Sequence, residues 1–390
     1  MPGWHAETKD LVASGKLQVA GLLQEQHADR ALLFHQWKDM DFPLMVDSYN
    51  QLGVKVVPIH VLLDAQGRVV AVNPKPQQLR DYLAETVGEA IDVEPVPSPT
   101  PVDPNQSEWT PEQHLAEGTT RLIYGASEDD AIAHLRSATK HSSTAARAWF
   151  RLGVALRHRF EDGGNSTDFA AAVEAWSTAL ALDPNHYIWR RRIQQYGPRL
   201  DKPYPFYDWV PLARTEIEAR GEAPVTLRVE PLGAEMTAPL PRGAAASAQA
   251  SEGPVPSFPD AERKITLDDG LIRSEVIVVP DTQGRTAARV HLSFEPNQLR
   301  AAHWNNEVEP ARLWLLLPEG WTSPTPFLEL AGSSEEVSSE VRRVEFELRG
   351  PQDSKLMAIP IVLLAHVCEG VDGTCVYRRI EVSAPLSALQ

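Results

Sequence analysis

The chain has 390 residues, enough for two or three domains, with 43% hydrophobic and 23% charged residues, the make-up of an ordinary soluble globular protein. A net charge of −16 argues against nucleic-acid binding, which needs clustered Lys and Arg, and fits a protein that repels its own copies. No apolar run approaches the ~20 residues of a membrane-spanning helix, and two cysteines exclude both a disulfide-dense scaffold and a four-thiolate zinc site.

Met1 is followed at once by "PGWHAETKDL", which lacks a basic, then apolar, start. This predicts a cytoplasmic protein for the chain as it stands, and an extracytoplasmic one if translation begins further upstream. Many of the 32 prolines fall in two linkers. "DVEPVPSPTPVDPNQSE" (92–108) predicts an extended, semi-rigid spacer. "PLPRGAAASAQASEGPVPSFPD" (239–260) is small, flexible and poor in large apolar residues. The expected division is a first block at 1–91, a linker at 92–108, a helical block at 109–220, a linker at 221–260 and a β block at 261–390.

In the first block, "AETKDLVASGK" predicts a helix ending near Gly15, and "LQVAGLL" a buried strand. "HADRALLFHQWKDM" carries Ala31, Leu32, Phe34, Trp37 and Met40 at helical spacing. "PLMVD" predicts a short strand, "IHVLLD" and "RVVAV" a hairpin around Ala65, Gln66 and Gly67, and "PQQLRDYLAETVGEAI" an amphipathic closing helix.

"FPLMVD", "VVPIHVLLDAQGRVV" and the closing helix resemble the redoxin and cytochrome-maturation class of thioredoxin-like domains, over residues 1–91. The resemblance implies a cis-proline at Pro58, preceded by Val57, facing a reactive cysteine and leaving an edge open to an extended substrate backbone. It also implies a central strand and a cysteine motif ahead of the first helix, and this chain has neither. Three explanations stand: a gene start further upstream, an unusual upstream codon such as one for selenocysteine, or an inactive remnant whose gap a partner strand fills. The polar run Gln24, Glu25, Gln26, His27 follows the first strand, at the sheet end where open α/β folds place their sites. Gln24 and Glu25 are candidates for lining a substrate cleft; the plain alternative is a loop. His5 and Glu7 are expected on a solvated helix face, the alternative being a helix-start pair.

In the helical block, Trp149, Leu152, Gly153 and Leu156 stand at W-x2-L-G-x2-L, followed by Ala172, Trp176, Ala179, Leu180 and Pro184. A weaker copy, Gly118, Ala131, Leu135 and Ala138, lies about 34 residues upstream. The pattern resembles the tetratricopeptide repeat, in which small residues let helices approach and large ones fill the space between repeats. "YIWRRRIQQYG" predicts a capping helix with Arg190, Arg191 and Arg192 solvated around it, and "PRLDKPYPFYDWV" an aromatic arm laid over it. Such a block predicts a protein partner.

The last block alternates or runs apolar for strand lengths in "RKITLDDGLIRSEVIVV", "ARVHLSFEP", "RLWLLLP", "VRRVEFELRG", "LMAIPIVLLAHVC" and "CVYRRIEVSAPL", predicting an immunoglobulin-like sandwich of about seven strands. Asp372-Gly373 is a hairpin signal, and a turn centred there sets Cys368 opposite Cys375. Two readings of the pair stand: a structural staple or inert pair, and an exchange-active disulfide. Tyr377 and Glu369 are placed to shield the sulfurs. Arg378, Arg379 and His366 are the nearby cations able to lower a thiol pKa, with the two arginines on opposite faces of the strand. "HVCEGVDGTCVYRR" and "HWNNEVEPARLWLLLPEGW" resemble the N-terminal sandwich domain of the transmembrane thiol–disulfide interchange proteins, over about 264–386. That resemblance implies a cysteine pair that accepts electrons and hands them to thioredoxin-like partners.

No two histidines have the spacing of a helical metal pair, and neither a phosphate loop nor a serine-nucleophile elbow is present, so no metal and no cofactor are expected. The expected architecture is multidomain: α/β thioredoxin-like, α-helical repeats, and an all-β sandwich. The expected function is thiol–disulfide handling with a helical adaptor that recruits a protein partner, a thioredoxin-like protein being the candidate. The alternative is a non-catalytic interaction scaffold.

Overall fold

The structure is a computed structural model. It describes residues 2–86, 109–125, 127–163, 165, 167–198, 209–227, 248–250, 257–282, 285–330, 332–333, 335–352, 357–370 and 374–386. The 92–108 linker and most of 239–260 lie outside them, as does the turn at Asp372 and Gly373. Contacts divide the chain into two compact units, one of residues 1–155, 175–190 and 208–227, the other of 156–174, 191–207 and 228–390. The seams do not follow the proline-rich linkers.

In the first unit, α1 (Pro2–Ala13), β1 (Gly21–Leu23), α2 (Asp29–Trp37), β2 (Leu44–Val46), β3 (Val61–Leu63), β4 (Val69–Val72) and α3 (Pro76–Thr86) follow the expected order. The first strand is shorter than "LQVAGLL". β1 pairs with β2 in parallel and β3 with β4 as a hairpin, giving two separate two-stranded sheets. Leu62, with Leu79 and Leu83 of α3, makes a small core against Trp4, Leu11 and Ala71. Alternation turns Val61 and Leu63 the other way, and the register, with its irregularity between Leu62 and Leu63, sets Val72 and Val69 opposite them; the four are 48–62% exposed. These apolar runs have the composition of strands covered on both faces, yet among the described residues only one face is covered.

Helices α4 (Pro111–Ile123), α5 (Glu128–Ala138), α6 (Ala145–Glu161), α7 (Asp168–Leu182), α8 (Tyr187–Tyr196) and α9 (Trp209–Ala219) follow. Thr110 and Gln113 form a capping box that starts α4, with Pro111 in its first turn. A Cβ on Gly118 would lie 2.9 Å from Leu135 and 3.0 Å from the Ala131 carbonyl, so glycine sets how closely α4 and α5 pack. Gly153 plays the same part against the fully buried Trp176 indole. Trp209 and Val210 open α9 instead of lying in an irregular arm, and Trp209 stacks on Trp37 at 5.8 Å. Arg192 is 1% exposed, which corrects the expectation that all three arginines are solvated.

In the second unit, β5 (Ala248–Ala250), β6 (Ile272–Pro280), β7 (Ala287–Pro296), β8 (Ala302–Asn305), β9 (Ala311–Leu315), β10 (Phe327–Leu330), β11 (Val337–Ser338), β12 (Arg342–Arg349), β13 (Ala358–Glu369) and β14 (Cys375–Pro385) make two sheets. One runs β12-β7-β6; the other runs β11-β8-β13-β9-β10-β5, with β14 on the far side of β13. Inward residues of both, among them Val290, Phe294 and Phe346 from the first and Trp304, Leu313 and Leu363 from the second, share one core. β8, β10 and β11 are short strands that the sequence pattern did not single out. β5 comes from the stretch expected to be a flexible linker, and pairs with β10. Phe258, from the same stretch, packs on Trp314 at 5.4 Å.

Two expectations follow from this packing. Gly153→Val forces atoms into the Trp176 indole and should lower unfolding free energy by about 1–3 kcal/mol, read from urea denaturation of the full chain. Burial pushes the Glu275 carboxyl up to about 7; Asp168 adds to the rise and Arg343 opposes it. Its folded pKa exceeds the unfolded one, so the stability it contributes is present in acid and lost as pH rises through about 7. Glu275→Gln should therefore raise the melting temperature at pH ~8 and leave it nearly unchanged at pH ~4, below the unfolded carboxyl pKa.

Candidate functional site

The β13–β14 hairpin is the element that brings the two cysteines together. Its antiparallel register is unbroken from Ala358↔Pro385 to Cys368↔Cys375, so the cysteines are directly opposite and share a face. They are joined as a disulfide, and the described residues contain no free cysteine. The two residues are not equally exposed: Cys368 is 2% exposed, whereas Cys375 is an exposed residue on the last pair of the ladder.

Strand parity fixes what surrounds them. Val367 and Ile380 point into the shared core, so Cys368 and Cys375 lie on the outer face of the sheet, in step with His366 and Tyr377. His366 stacks on Tyr377 at 4.4 Å, and the Tyr377 hydroxyl accepts from Arg312 at 2.8 Å. Burial pushes the His366 ring below the usual imidazole range; Arg312 assists and Glu309 opposes. Arg379 shares the cysteine face, but its guanidinium donates to the Arg263 carbonyl and pairs with Glu381 at 3.0 Å. Arg378 sits opposite Ala365, a core residue, and so on the other face. Glu369 pairs with Arg300 at 2.8 Å instead of shielding a sulfur.

On its other side Cys368 is in register with His303 of β8. The sequence alone did not reveal this residue. Its neighbour Trp304 is fully buried, donates its indole N–H to the Glu340 carbonyl at 2.9 Å, and lies under the Arg342 guanidinium at 4.3 Å. With Trp304 fixed in the core, alternation turns His303 onto the outer face beside Cys368. The preceding turn is held by Asn297, which accepts from the Leu299 N–H and donates to the Gly270 carbonyl. Cys375, Cys368 and His303 therefore form a row across three strands.

The other candidates belong to the first unit. Val57 and Pro58 are joined by a cis peptide bond, as the thioredoxin resemblance implies, and both are exposed. Gln24 donates to Asp47 at 2.9 Å, and Asp47 accepts from the backbone of Gln51, so the pair ties β1 to the loop after β2. Glu25 lies 3.8 Å from the buried Arg30 guanidinium. His5 bonds Asp41 at 2.9 Å and Glu7 pairs with Arg80 at 3.0 Å, so neither is simply solvated. A small pocket in the second unit, lined in part by the mutually paired Asp281 and Arg285, has room for about one water molecule.

Among the described residues no group of three or more His, Cys, Asp or Glu side chains is placed to hold a metal ion, and no helix is long and apolar enough to cross a membrane.

The burial difference predicts an order of reaction. After reduction of the full chain, a limiting alkylating reagent should label Cys375 well before Cys368, which mass spectrometry of the digested protein reads directly.

No family model matches the chain, and no curated protein matches it. Among solved structures, the crystal structure of the yeast GGA1 GAE domain–P21 aligns at 14% identity, over 32% of this chain and 99% of that one. Its TM-score is 0.20, too low to bear on fold or function. The chain thus stands as a mixed, multidomain assembly of helices and β-sheets.

Proposed function

We propose that the chain is a thiol–disulfide exchange protein whose working bond is Cys368–Cys375, with a helical block that docks a protein partner. The observation that carries this reading is the asymmetry of the disulfide. An incoming thiolate has access to Cys375, and the displaced sulfur, Cys368, is held in the sheet where it can close the bond again.

The finer domain readings support the same proposal. Residues 1–91, which hold no cysteine, are read as a thioredoxin-like frame lacking its first core strand; that its described strands form two separate pairs in place of one sheet supports this reading. The helical block is read as two tetratricopeptide-like repeats on the strength of the two glycine-mediated close approaches, at Gly118 and Gly153. The β block is read as an immunoglobulin-like sandwich resembling the electron-accepting domain of the interchange proteins. A disulfide of this kind persists in an oxidising compartment, which favours the extracytoplasmic alternative for where the protein works.

A second reading, the non-catalytic scaffold, rests on a different observation. The open face of Val61, Leu63, Val69 and Val72, together with strand edges unpaired among the described residues, is a surface other chains bind.

One experiment separates the two. Oxidised full-length chain mixed with reduced thioredoxin should take up two electrons, read as loss of thioredoxin thiols, and Cys368→Ser should trap a mixed disulfide through Cys375. Thioredoxin that keeps its thiols, with no trapped species, would sink the exchange reading and leave the scaffold.

A further inference from the structure

We propose that His303 is the proton donor to the Cys368 sulfur when the disulfide opens. This rests on the exchange reading of that bond.

The placement follows from the ladder between β8 and β13. Gly370 donates its N–H to the Ala301 carbonyl at 3.1 Å, and two residues along, Cys368 faces His303. Pair type repeats every second residue in an antiparallel ladder, so Cys368 and His303 form the hydrogen-bonded type, with Cα atoms about 5.5 Å apart and side chains on one face. The imidazole is half-buried. Its Nδ1 lies 3.3 Å from the Ala301 carbonyl, which only accepts, so Nδ1 carries a proton. That leaves Nε2 to bind or release a second proton, and Nε2 has no hydrogen bond among the described residues.

The chemistry requires such a group. A thiolate of the partner attacks the Cys375 sulfur, forming a new S–S bond while the Cys368–Cys375 bond breaks and its electron pair passes to Cys368. At a site 2% exposed, that negative charge has little water to stabilise it. His303, protonated from solvent by the proton the partner thiol released, passes a proton to Cys368. The second thiolate of the partner then attacks its own sulfur in the mixed disulfide, frees Cys375, and leaves the partner oxidised by two electrons.

The other titratable or charged groups around the row are His366 and Glu369 on β13, Tyr377, Arg378 and Arg379 on β14, and Arg300 with Asp269 beside the turn before β8. Glu369 and Asp269 are paired with Arg300, Arg379 with Glu381, and Arg378 is on the opposite face. The Tyr377 hydroxyl is held by Arg312, so among the described groups the imidazole of His366 is the competitor for the role.

The test is the pH profile of disulfide opening by dithiothreitol in the full-length protein. His303→Gln should slow opening about tenfold at neutral pH and move the profile about one unit alkaline, and free imidazole should restore the rate of His303→Ala. In the Cys375→Ser background, where Cys368 is the lone thiol, His303→Gln should raise the midpoint of its ultraviolet thiolate absorbance. A profile of His303→Gln superposable on the wild type, or an equal shift in His366→Gln, would overturn the assignment. Failure of thioredoxin to reduce the chain leaves this outcome readable, because dithiothreitol needs no docking surface.

Discussion

The register of one ladder determines the chemistry available to this protein. β13 and β14 run opposite each other for eleven pairs without a bulge. A slip by one residue would turn one cysteine into the core and leave the other outside. The register holds because Ile361, Leu363, Ala365 and Val367 on one strand, and Ile380 and Ala384 on the other, all point into the same core. The disulfide, the His366–Tyr377 stack and the Arg312–Tyr377 hydrogen bond occupy the opposite face only because those apolar residues fix the phase.

The second unit also carries much buried charge. Arg157 and Glu161 are one turn apart on α6, both almost fully buried and 2.5 Å apart, with Phe169 and Tyr196 packed against the guanidinium at 4.5 and 4.8 Å. His291 reaches the Tyr196 carbonyl through Nε2 and Glu345 through Nδ1. Burial alone would push the Glu345 carboxyl up, but His291 and Arg289 together bring it below the usual range. Removing one partner from such a network leaves the other uncompensated, and that cost makes the packing of α6 and α8 on β7 hard to rearrange.

How much of this the sequence disclosed depends on how local each signal is. The helices were legible from their 3.6-residue period, the long strands from alternation, and the cysteine hairpin from Asp372-Gly373 between two apolar runs. Gly153 was legible because Trp176 follows it at the spacing of a helical pair. His303 was not, since its role depends on pairing with a strand 65 residues later in the chain, and nothing near "AAHWNN" carries that information. Arg192 was misjudged for a related reason: a run of three arginines looks solvated until tertiary packing covers one of them. β10 and β11, at four and two residues, are too short for any period to show.

The first ninety residues look separable on paper, because a proline-rich stretch follows them. Within the first unit they are fastened to what lies beyond it. Arg220 donates to the carbonyls of Gln36 and Trp37 at the end of α2, Arg151 to that of Tyr49, and Lys55 pairs with Asp183. Two-stranded sheets are barely stable by themselves. Excising this block at its linker would strip away the side chains that clamp its loops, so its autonomy is a property of the gene map and not of the folded molecule.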